Sequence, residues 1–377
     1  MLQKKESITR IKVCVFIPQS SVYPGASLNF ANGIKLYFTL FENNFIRGPV
    51  ELEIIDIGSG SASKVKEKAH ELLMNYRPNF ILGYMNSSIG IELANMVSAF
   101  DIPVLISNLG ENAVKSSEVP ENLFFNTFQF WQSYFHLGKY LSNEFKTDWL
   151  IISSLHDTGY DPLRAFRAGL QSNDGRIAQE IYLNASEGKE LIMDFNDKVQ
   201  VSKNEMPVLF FPTTLLEPMI KELGKDYSEI ISTPFFKSEN DTMKYWAFPN
   251  GQLHVSEPKI VAGAKEYLET SPDLFHMLGY RAGGMLYKAA SKLDDTTNDY
   301  KNILNAWRNF KFRVGNETFS VDPVTNELCG LTNVFKGISP QESYELIHSV
   351  HSNEIDDSVW EELTEQRSAF TNPYMFY

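Results

Sequence analysis

The sequence predicts an α/β protein built from two similar lobes, each with a parallel sheet covered by helices. Three observations predict this fold class. Apolar stretches of strand length alternate with segments of helical periodicity, the alternation restarts near residue 134, and small polar turns follow the strands. Because parallel strands end at one edge of a sheet, those turns are expected to lie together where ligands bind.

The first 110 residues read as strand and helix in strict alternation. Strands are predicted at residues 11–17, 50–54, 80–82 and 104–106. Between them apolar residues recur at helical spacing. These helix positions are Ala31, Ile34, Phe38 and Phe41, then Val65, Ala69, Leu72, Leu73 and Tyr76, then Ile89, Leu93, Met96, Val97 and Phe100. Ser63 is the predicted cap of the second helix.

The same alternation returns in the second half. Strands are predicted at residues 149–152, 177–181, 208–211 and 230–233, with helices between them. Asp161 and Pro162 predict a helix start, with the aspartate as N-cap and the proline at the first helical position. Beyond Lys237 the pattern loosens. Helices are predicted at residues 261–268 and 274–293 and around Trp307, with strands at 318–322 and 330–336, whereas residues 340–377 predict no element.

Composition limits the function classes. A chain of 377 residues with 43% hydrophobic content can bury large cores, most plausibly in two domains. The net charge of -13 argues against a nucleic acid or an anionic membrane as a partner. The 13% aromatic share is high, as expected for a protein with a wide apolar cleft. No apolar run reaches the roughly 18 residues of a transmembrane helix.

Cysteines and the amino end leave two questions open. Cys14 lies in an apolar strand, where a buried thiol is the ordinary interpretation, and nothing fixes its distance from Cys329 for a disulfide. No metal-type spacing of cysteine or histidine occurs, and no cofactor is expected. The first ten residues, MLQKKESITR, lack the apolar segment of a signal peptide. The protein is therefore expected in the cytoplasm, or in the periplasm if a leader was removed.

Seven short motifs resemble, in order, those of type I periplasmic binding proteins, particularly the branch that binds branched-chain amino acids, amides or urea. The resemblance covers roughly residues 11–337. The motifs are P-Q-S-S at 18–21, I-L-G-Y-M-N-S-S at 81–88, I-P-V-L-I-S at 102–107, N-L-F-F-N-T-F at 122–128, D-T-G-Y at 157–160, L-G-Y-R-A at 278–282 and T-F-S-V-D-P at 318–323. Tyr84 stands where the family has proline, and Gly159 and Tyr160 are exchanged relative to its D-x-x-Y-G turn.

The resemblance implies two Rossmann-like lobes with parallel sheets, joined by three hinge crossovers and closing on a small ligand. The N-terminal lobe would comprise residues 1–127 and 254–334, and the C-terminal lobe residues 128–253 and 335–377. The chain would cross near residues 125–129, 250–256 and 334–337. Such a protein is the substrate-binding component of an ABC transporter and not an enzyme, so its partners would be a small-molecule ligand and a permease.

The polar turns supply the candidate ligand-binding residues. In such proteins turn hydroxyls and backbone amides of the first lobe hold the polar head of the ligand. By position Ser87 and Ser88 would be those hydroxyls, flanked by Asn108 and Gly110. The other candidates are Ser20, Ser21, Tyr23, Tyr84, Asn86 and Ser107 in the first lobe and Tyr160, Thr213, Phe235 and Phe236 in the second. The alternative is that the turn residues only cap helices and that Tyr160 only packs beside one.

A missing acid narrows the ligand class. Amino-acid binders of this family often place an acid after the last strand of the second lobe, where it meets the ammonium group of the ligand. Here residues 233–236 read T-P-F-F, and the nearest acid, Glu239, is offset. An ammonium buried without a charge partner would be strongly disfavoured. The predicted ligand is therefore amino-acid-like, amide or aromatic, but not a standard α-amino acid.

Two other function classes are alternatives. The seven histidines are scattered and no H-E-x-x-H or G-x-S-x-G motif occurs, which argues against an enzyme. His156 and Asp157 form the most catalytic-looking pair, but without a nucleophile the favoured interpretation is a polar turn. Gly58 and Gly60 lack the third glycine of a dinucleotide motif. A cytoplasmic ligand sensor that regulates a partner protein is the second alternative.

Overall fold

The computed structural model confirms the predicted alternation in the first half of the chain. It describes residues 11–21, 23–41, 50–184, 188–198, 205–211, 213–224, 226, 229–231, 244–247, 257–293, 300–314, 317–339, 343–366 and 368–373. The first elements are β1 (Ile11–Ile17), α1 (Ala26–Phe41), β2 (Val50–Asp56), α2 (Ala62–Asn75), β3 (Phe80–Tyr84), α3 (Ser87–Val97), β4 (Val104–Asn108) and β5 (Leu123–Thr127). The strands form one parallel sheet in the order β2-β1-β3-β4-β5.

A second sheet repeats this arrangement. Its elements are α4 (Phe130–Glu144), β6 (Asp148–Ser154), α5 (Asp161–Gln171), β7 (Arg176–Leu183), α6 (Gly188–Lys198), β8 (Glu205–Phe210), α7 (Thr213–Leu223), β9 (Glu229–Ile231) and β10 (Lys244–Ala247). Two later strands, β14 (Leu331–Ser339) and β15 (Ser343–His351), extend it antiparallel. The described strands have the order β15-β14-β10-β9-β8-β6-β7. The two-lobed α/β prediction is confirmed.

Between the two parts of the second sheet, the chain returns to the first lobe. The elements of this return are α8 (Pro258–Leu268), α9 (Leu274–Ala290), α10 (Tyr300–Arg308) and the antiparallel strands β11 (Lys311–Val314), β12 (Glu317–Val321) and β13 (Leu328–Cys329). Helix α9 packs closely on α1. A Cβ atom at Gly33 would lie 2.1 Å from the His276 carbonyl oxygen, and one at Gly279 would lie 1.9 Å from that of Phe30. Only hydrogen fits at these two positions, so the glycines fix the helix spacing.

The connections between the sheets form the hinge region. Residues 128–129 link β5 to α4, and Gln129 there adopts a left-handed backbone conformation with φ of 55°. The second predicted crossover, at residues 250–256, lies outside the described residues. The third passage lies at Gly330, because Leu331 already pairs with His351 in the second sheet. One continuous apolar core runs through this region and contains Tyr84 of the first lobe and Tyr160 of the second.

The segment without a predicted element is structured. Helix α11 (Asp357–Glu365) follows β15 and lies against α4 and α5 of the second lobe. The indole rings of Trp360 and Trp131 meet edge to face at 4.8 Å. Ile355 and Leu363 pack into the same small apolar cluster as Phe135. Residues 368–373 then continue beyond the helix.

Three local predictions were wrong. Ser61, not Ser63, is the N-cap of α2, and its hydroxyl accepts a hydrogen bond from the Lys64 amide. Asp161 is not an N-cap but the first residue of α5, because its carboxylate faces a loop of the other lobe. Phe100 is half exposed, because α3 ends at Val97 and a short 3₁₀ turn follows.

The remaining bulk features are simple. Cys14 and Cys329 are both free and buried, so no disulfide joins them. Among the helices that the structure describes, none is long and apolar enough to cross a lipid bilayer.

Candidate functional site

The two polar turns predicted to hold a ligand lie side by side at the carboxyl edge of the first sheet. Asn108 donates hydrogen bonds through Nδ2 to the Ser87 hydroxyl at 3.0 Å and to the Met85 carbonyl at 3.1 Å. The amide of Gly110 donates to Oδ1 of Asn108 at 2.9 Å. Through these three hydrogen bonds Asn108 fixes the Ser87 side chain and the backbone of both turns.

Asn86 begins α3 and orders the second serine. Its side-chain oxygen accepts from the Ser88 amide at 2.9 Å and from the Ser88 hydroxyl at 2.7 Å. Its Nδ2 group also donates to Asn112 in the loop after β4. The helix-capping alternative thus applies to Asn86, while Ser87, which is buried, and Ser88, which is exposed, form the first turn of the helix.

Two predicted site residues are held inside the first lobe. Tyr84 is fully buried, and its ring contacts Phe30 at 5.7 Å and Phe275 at 5.9 Å. Burial raises the pKa of its phenol well above the ordinary value. The hydroxyl of Ser107, also fully buried, accepts a hydrogen bond from Nδ2 of Asn126 at 3.0 Å. Through these contacts the side chains of Tyr84 and Ser107 are part of the core of the first lobe.

The turn after β1 forms the rim of the first lobe. The Ser20 hydroxyl accepts from the Tyr23 amide at 2.9 Å, which shapes the turn into α1. The Tyr23 ring leans on Phe275 at 5.9 Å, and Ser21 is exposed. Of these three, Ser21 presents its side chain most openly to solvent.

A loop that sequence reasoning missed brings the lobes together. The Glu111 carbonyl accepts from the Asp161 amide at 3.0 Å, and the Ala113 amide donates to Oδ2 of Asp161 at 2.7 Å. Arg164 pairs with the same carboxylate at 2.7 Å. Burial of the Asp161 carboxylate raises its pKa, although these partners oppose the shift. No sequence motif indicates this contact, because the residues that make it are far apart in the chain and meet only in the folded structure.

Tyr160 lies opposite this loop and is nearly fully buried. Its ring centroid lies 5.1 Å from that of His156 and 5.4 Å from that of Phe370. Its hydroxyl donates to the Pro373 carbonyl at 3.4 Å. Tyr160 is the N-cap residue of α5, so it does pack beside a helix start, and its ring neighbours are His156 in the preceding turn and Phe370 after α11.

The His156–Asp157 pair is a structured turn. Burial lowers the pKa of His156 to about 4, so its imidazole is neutral at physiological pH. The Asp157 carboxylate accepts from the Ser154 hydroxyl, and the Asp157 amide donates to the same hydroxyl at 3.1 Å. The imidazole ring stacks on Phe370 at 5.5 Å. These contacts support the polar-turn interpretation over a catalytic one.

A cavity of about 390 Å³ opens beside these turns. Its walls combine the start of α3, the loop after β4 and the segment that follows α11. The lining includes Ser87, Ser88, Asn112, Lys115, Thr364 and Phe370. The volume is of the size that holds a small organic ligand.

Several predicted residues of the second lobe remain unplaced. Phe235, Phe236 and Glu239 lie outside the described residues. Thr213 begins α7, but the position of its side chain is not described. The described part of the site therefore comprises the first-lobe turns, Tyr160 and its neighbours.

Comparison with known families identifies the fold. Residues 10–225, more than half of the chain, match the family model described as periplasmic binding protein. Among curated proteins none matches the chain.

Solved structures of similar fold are solute-binding proteins. One from Rhodopseudomonas palustris BisB5, in complex with 3,4-dihydroxybenzoic acid, has a TM-score of 0.70 at 16% identity, covering 91% of this chain and 98% of that chain. One from Rhodopseudomonas palustris HaA2, in complex with p-hydroxybenzoic acid, has a TM-score of 0.71 at 16% sequence identity and covers 91% of this chain and 98% of that chain. A substrate-binding protein from Desulfitobacterium hafniense, in complex with Leu, has a TM-score of 0.65 at 15% sequence identity and covers 90% of this chain and 100% of that chain.

Proposed function

The chain belongs to the periplasmic binding protein family, and we propose that this two-lobed solute-binding protein takes a small aromatic carboxylate or amide as its ligand. The observation that carries the proposal is an aromatic ring already seated at the edge of the cleft. The Phe370 ring lies against His156 and Tyr160, with centroids 5.5 and 5.4 Å apart. This position therefore accommodates a ring.

The polar head of such a ligand would meet the first lobe. Ser87 and Ser88 stand at the amino end of α3, where hydroxyls and the positive end of the helix dipole favour a carboxylate or amide oxygen. Asn108 holds Ser87 in place through its 3.0 Å hydrogen bond. Ring and head would thus be recognised from opposite sides of the cleft.

Two acids near Tyr160 in the sequence already have partners among the residues that the structure describes. The Asp161 carboxylate is bound by Arg164 at 2.7 Å and by the Ala113 amide at 2.7 Å. The Asp157 carboxylate is bonded to Ser154. Since both acids already serve the fold, the ammonium group of a standard α-amino acid would have to displace one of these partners to reach either carboxylate. Benzoate-type ligands in two structures of the same fold support this ligand class.

The wider assignment follows the same family. We propose that the protein delivers its ligand to an ABC transporter permease, works in the periplasm and catalyses no reaction. The lobes are proposed to comprise residues 1–127 with 254–330 and residues 128–253 with 331–377. The last boundary moves from residue 334, where the sequence predicts it, because Leu331 already pairs with His351 in the second sheet. The alternative of a cytoplasmic sensor for a partner protein is not favoured by the solved structures of this fold, which are transporter components.

Calorimetric titration tests the ligand class. We expect 4-hydroxybenzoate and benzoate to bind with micromolar Kd, and leucine, isoleucine and valine to bind at least 100-fold more weakly. Ligand at 100 times its Kd stabilises the fold by about 2.7 kcal/mol, which a melting curve detects. Ser87→Ala should weaken benzoate binding at least tenfold, whereas Ser98→Ala, on the exposed 3₁₀ turn after α3, should not. Tight binding of leucine would overturn the proposal.

A further inference from the structure

The last described residues of the chain lie in the cleft and contact both lobes. We call residues 368–373 the C-terminal segment. The Ser368 hydroxyl accepts from Nδ2 of Asn112 at 2.6 Å, on the loop of the first lobe. The Phe370 amide donates to the Gly159 carbonyl at 3.2 Å, in the second lobe. The segment therefore bridges the two walls between which a ligand would bind.

The far end of the segment reaches the rim of the first sheet. The Pro373 carbonyl accepts from the Tyr160 hydroxyl at 3.4 Å. A Cβ atom built at Gly60, in the turn after β2, would lie 3.6 Å from Cδ of Pro373 and 3.5 Å from Cβ of Pro18, which follows β1. The segment thus runs across the cleft mouth from α11 to the ends of β1 and β2.

The Phe370 ring occupies a shaped subsite. Its ring is stacked on His156, with planes 25° apart, and meets Tyr160 edge to face. A Cβ atom at Gly159 would lie 2.2 Å from the Phe370 ring, so only hydrogen leaves room for it. Gly159 does not have a positive φ, which means that space and not backbone conformation requires glycine there. The ring remains about one-third exposed and borders the 390 Å³ cavity.

The helix before the segment is firmly anchored. Nη2 of Arg164 donates to the carbonyls of Leu363 at 2.6 Å and Gln366 at 2.9 Å. The contact between Trp360 and Trp131 holds the middle of the helix. Beyond Gln366 the attachment includes the hydrogen bonds and ring contacts described above and a side-chain hydrogen bond between Ser368 and the Asp161 carboxylate. The anchors of α11, at Trp360, Leu363 and Gln366, are separate from these contacts, so the segment can be displaced while α11 stays in place.

We propose that the C-terminal segment is an intramolecular occupant of the cleft, and that an external ligand binds its aromatic subsite only after Phe370 has left it. The ligand part rests on the proposed function, whereas occupancy by the segment does not. Competition of this kind lowers the apparent affinity by the fraction of molecules in which the subsite is free. If the segment occupies it in 99% of molecules, the apparent Kd rises about 100-fold.

The first experiment compares full-length variants by titration with 4-hydroxybenzoate. Phe370→Ala removes the occupant's ring and should tighten binding at least tenfold. Phe100→Ala removes a half-exposed phenylalanine outside the cleft and serves as the matched control, with unchanged binding. Unchanged or weaker binding to Phe370→Ala would overturn the proposal, because Phe370 would then be a bystander or part of the ligand's own wall.

The second experiment needs no external solute. A synthetic peptide with the sequence of residues 367–377, RSAFTNPYMFY, is titrated into the full-length Phe370→Ala protein. The peptide should bind this variant and not the wild type, and the same peptide with alanine for phenylalanine should not bind. If 4-hydroxybenzoate binds neither protein but the peptide binds the variant, the proposed function fails and the occupant stands. Absence of peptide binding in a variant with a native melting curve would overturn the occupant.

Discussion

Glu327 makes the stability of the hinge region depend on pH. The residue lies just before β13 and is buried, with its carboxylate accepting from the Thr127 hydroxyl and from Nε2 of Gln132 at 2.9 Å. Both partners flank the crossover between β5 and α4. Burial raises the pKa of Glu327 to about 7, above the ordinary 4.5. The folded protein therefore holds a proton that the unfolded chain releases between those two pH values.

The sign and size of the effect follow from that difference. Since Glu327 is protonated in the folded state and ionised in the unfolded state between pH 4.5 and 7, its contribution to stability falls as pH rises through this window. The difference of about 2.5 pH units, at about 1.4 kcal/mol each, corresponds to about 3 kcal/mol. Glu327→Gln keeps the shape and cannot ionise. We expect it to match the wild type at pH 4.5 and to be more stable by up to about 3 kcal/mol at pH 8.

Urea unfolding followed by circular dichroism at pH 4.5, 6 and 8 measures this. Glu345→Gln, on exposed β15, is the matched control and should show no difference in slope. The competing effect is attraction to the buried Arg281, whose guanidinium lies 4.6 Å from the Phe319 ring centroid. If that attraction dominated, Glu327→Gln would be less stable than the wild type at pH 8. That result would refute the reasoning.

Two further predictions concern stability. Burial lowers the pKa of His136 to about 4 from 6.5, and its Nε2 lies 2.9 Å from the Ser352 carbonyl oxygen. The contribution of His136 to stability should therefore fall by about 3 kcal/mol as pH drops from 6.5 to 4, opposite in sign to the contribution of Glu327. His136→Gln should flatten this slope in the same urea experiment, while His70→Gln, at an exposed position, should leave it unchanged. Gly279→Ala should cost at least about 2 kcal/mol in thermal unfolding, because its Cβ would lie 1.9 Å from the Phe30 carbonyl oxygen. Gly25→Ala, with 3.5 Å to its nearest neighbour, should cost far less, and equal costs would contradict the close-packing explanation.

The alternation of strands and helices could be predicted because it depends on local apolar periodicity. Strand β3 and helix α3 follow the pattern closely, with Ile89, Leu93 and Val97 buried as expected. It was harder to predict which of several nearby polar side chains caps a helix. Ser61 and Ser63 are chemically equivalent caps in the sequence, and only the backbone path selects Ser61. Asp161 resembled an N-cap, but a distant loop supplies its hydrogen-bond donor.

The candidate site could be predicted only in its first-lobe half. Ser87 and Asn108 meet because parallel strands place their carboxyl ends at one edge, which is a rule of the fold. Glu111 and Asn112 were not predicted because their contacts with Asp161 and Ser368 lie 50 and 256 residues away along the chain. Ser107 and Tyr84 were assigned to the same turns, yet their side chains point into the core, since successive strand residues alternate between faces.

Phe370 shows most clearly why the ligand class and the end of the chain must be considered together. Residues 340–377 predict no element from the sequence, yet β15 pairs antiparallel with the preceding strand β14 and α11 packs against α4 and α5. Once the fold places Phe370 on His156 and Tyr160, the subsite accepts a phenyl ring and excludes any side chain on Gly159. A planar ring in the ligand can replace that of Phe370 without any change in the subsite, whereas a branched aliphatic side chain would give up the stacking on His156. The proposed preference for an aromatic ligand therefore rests on the contacts that Phe370 makes in the subsite.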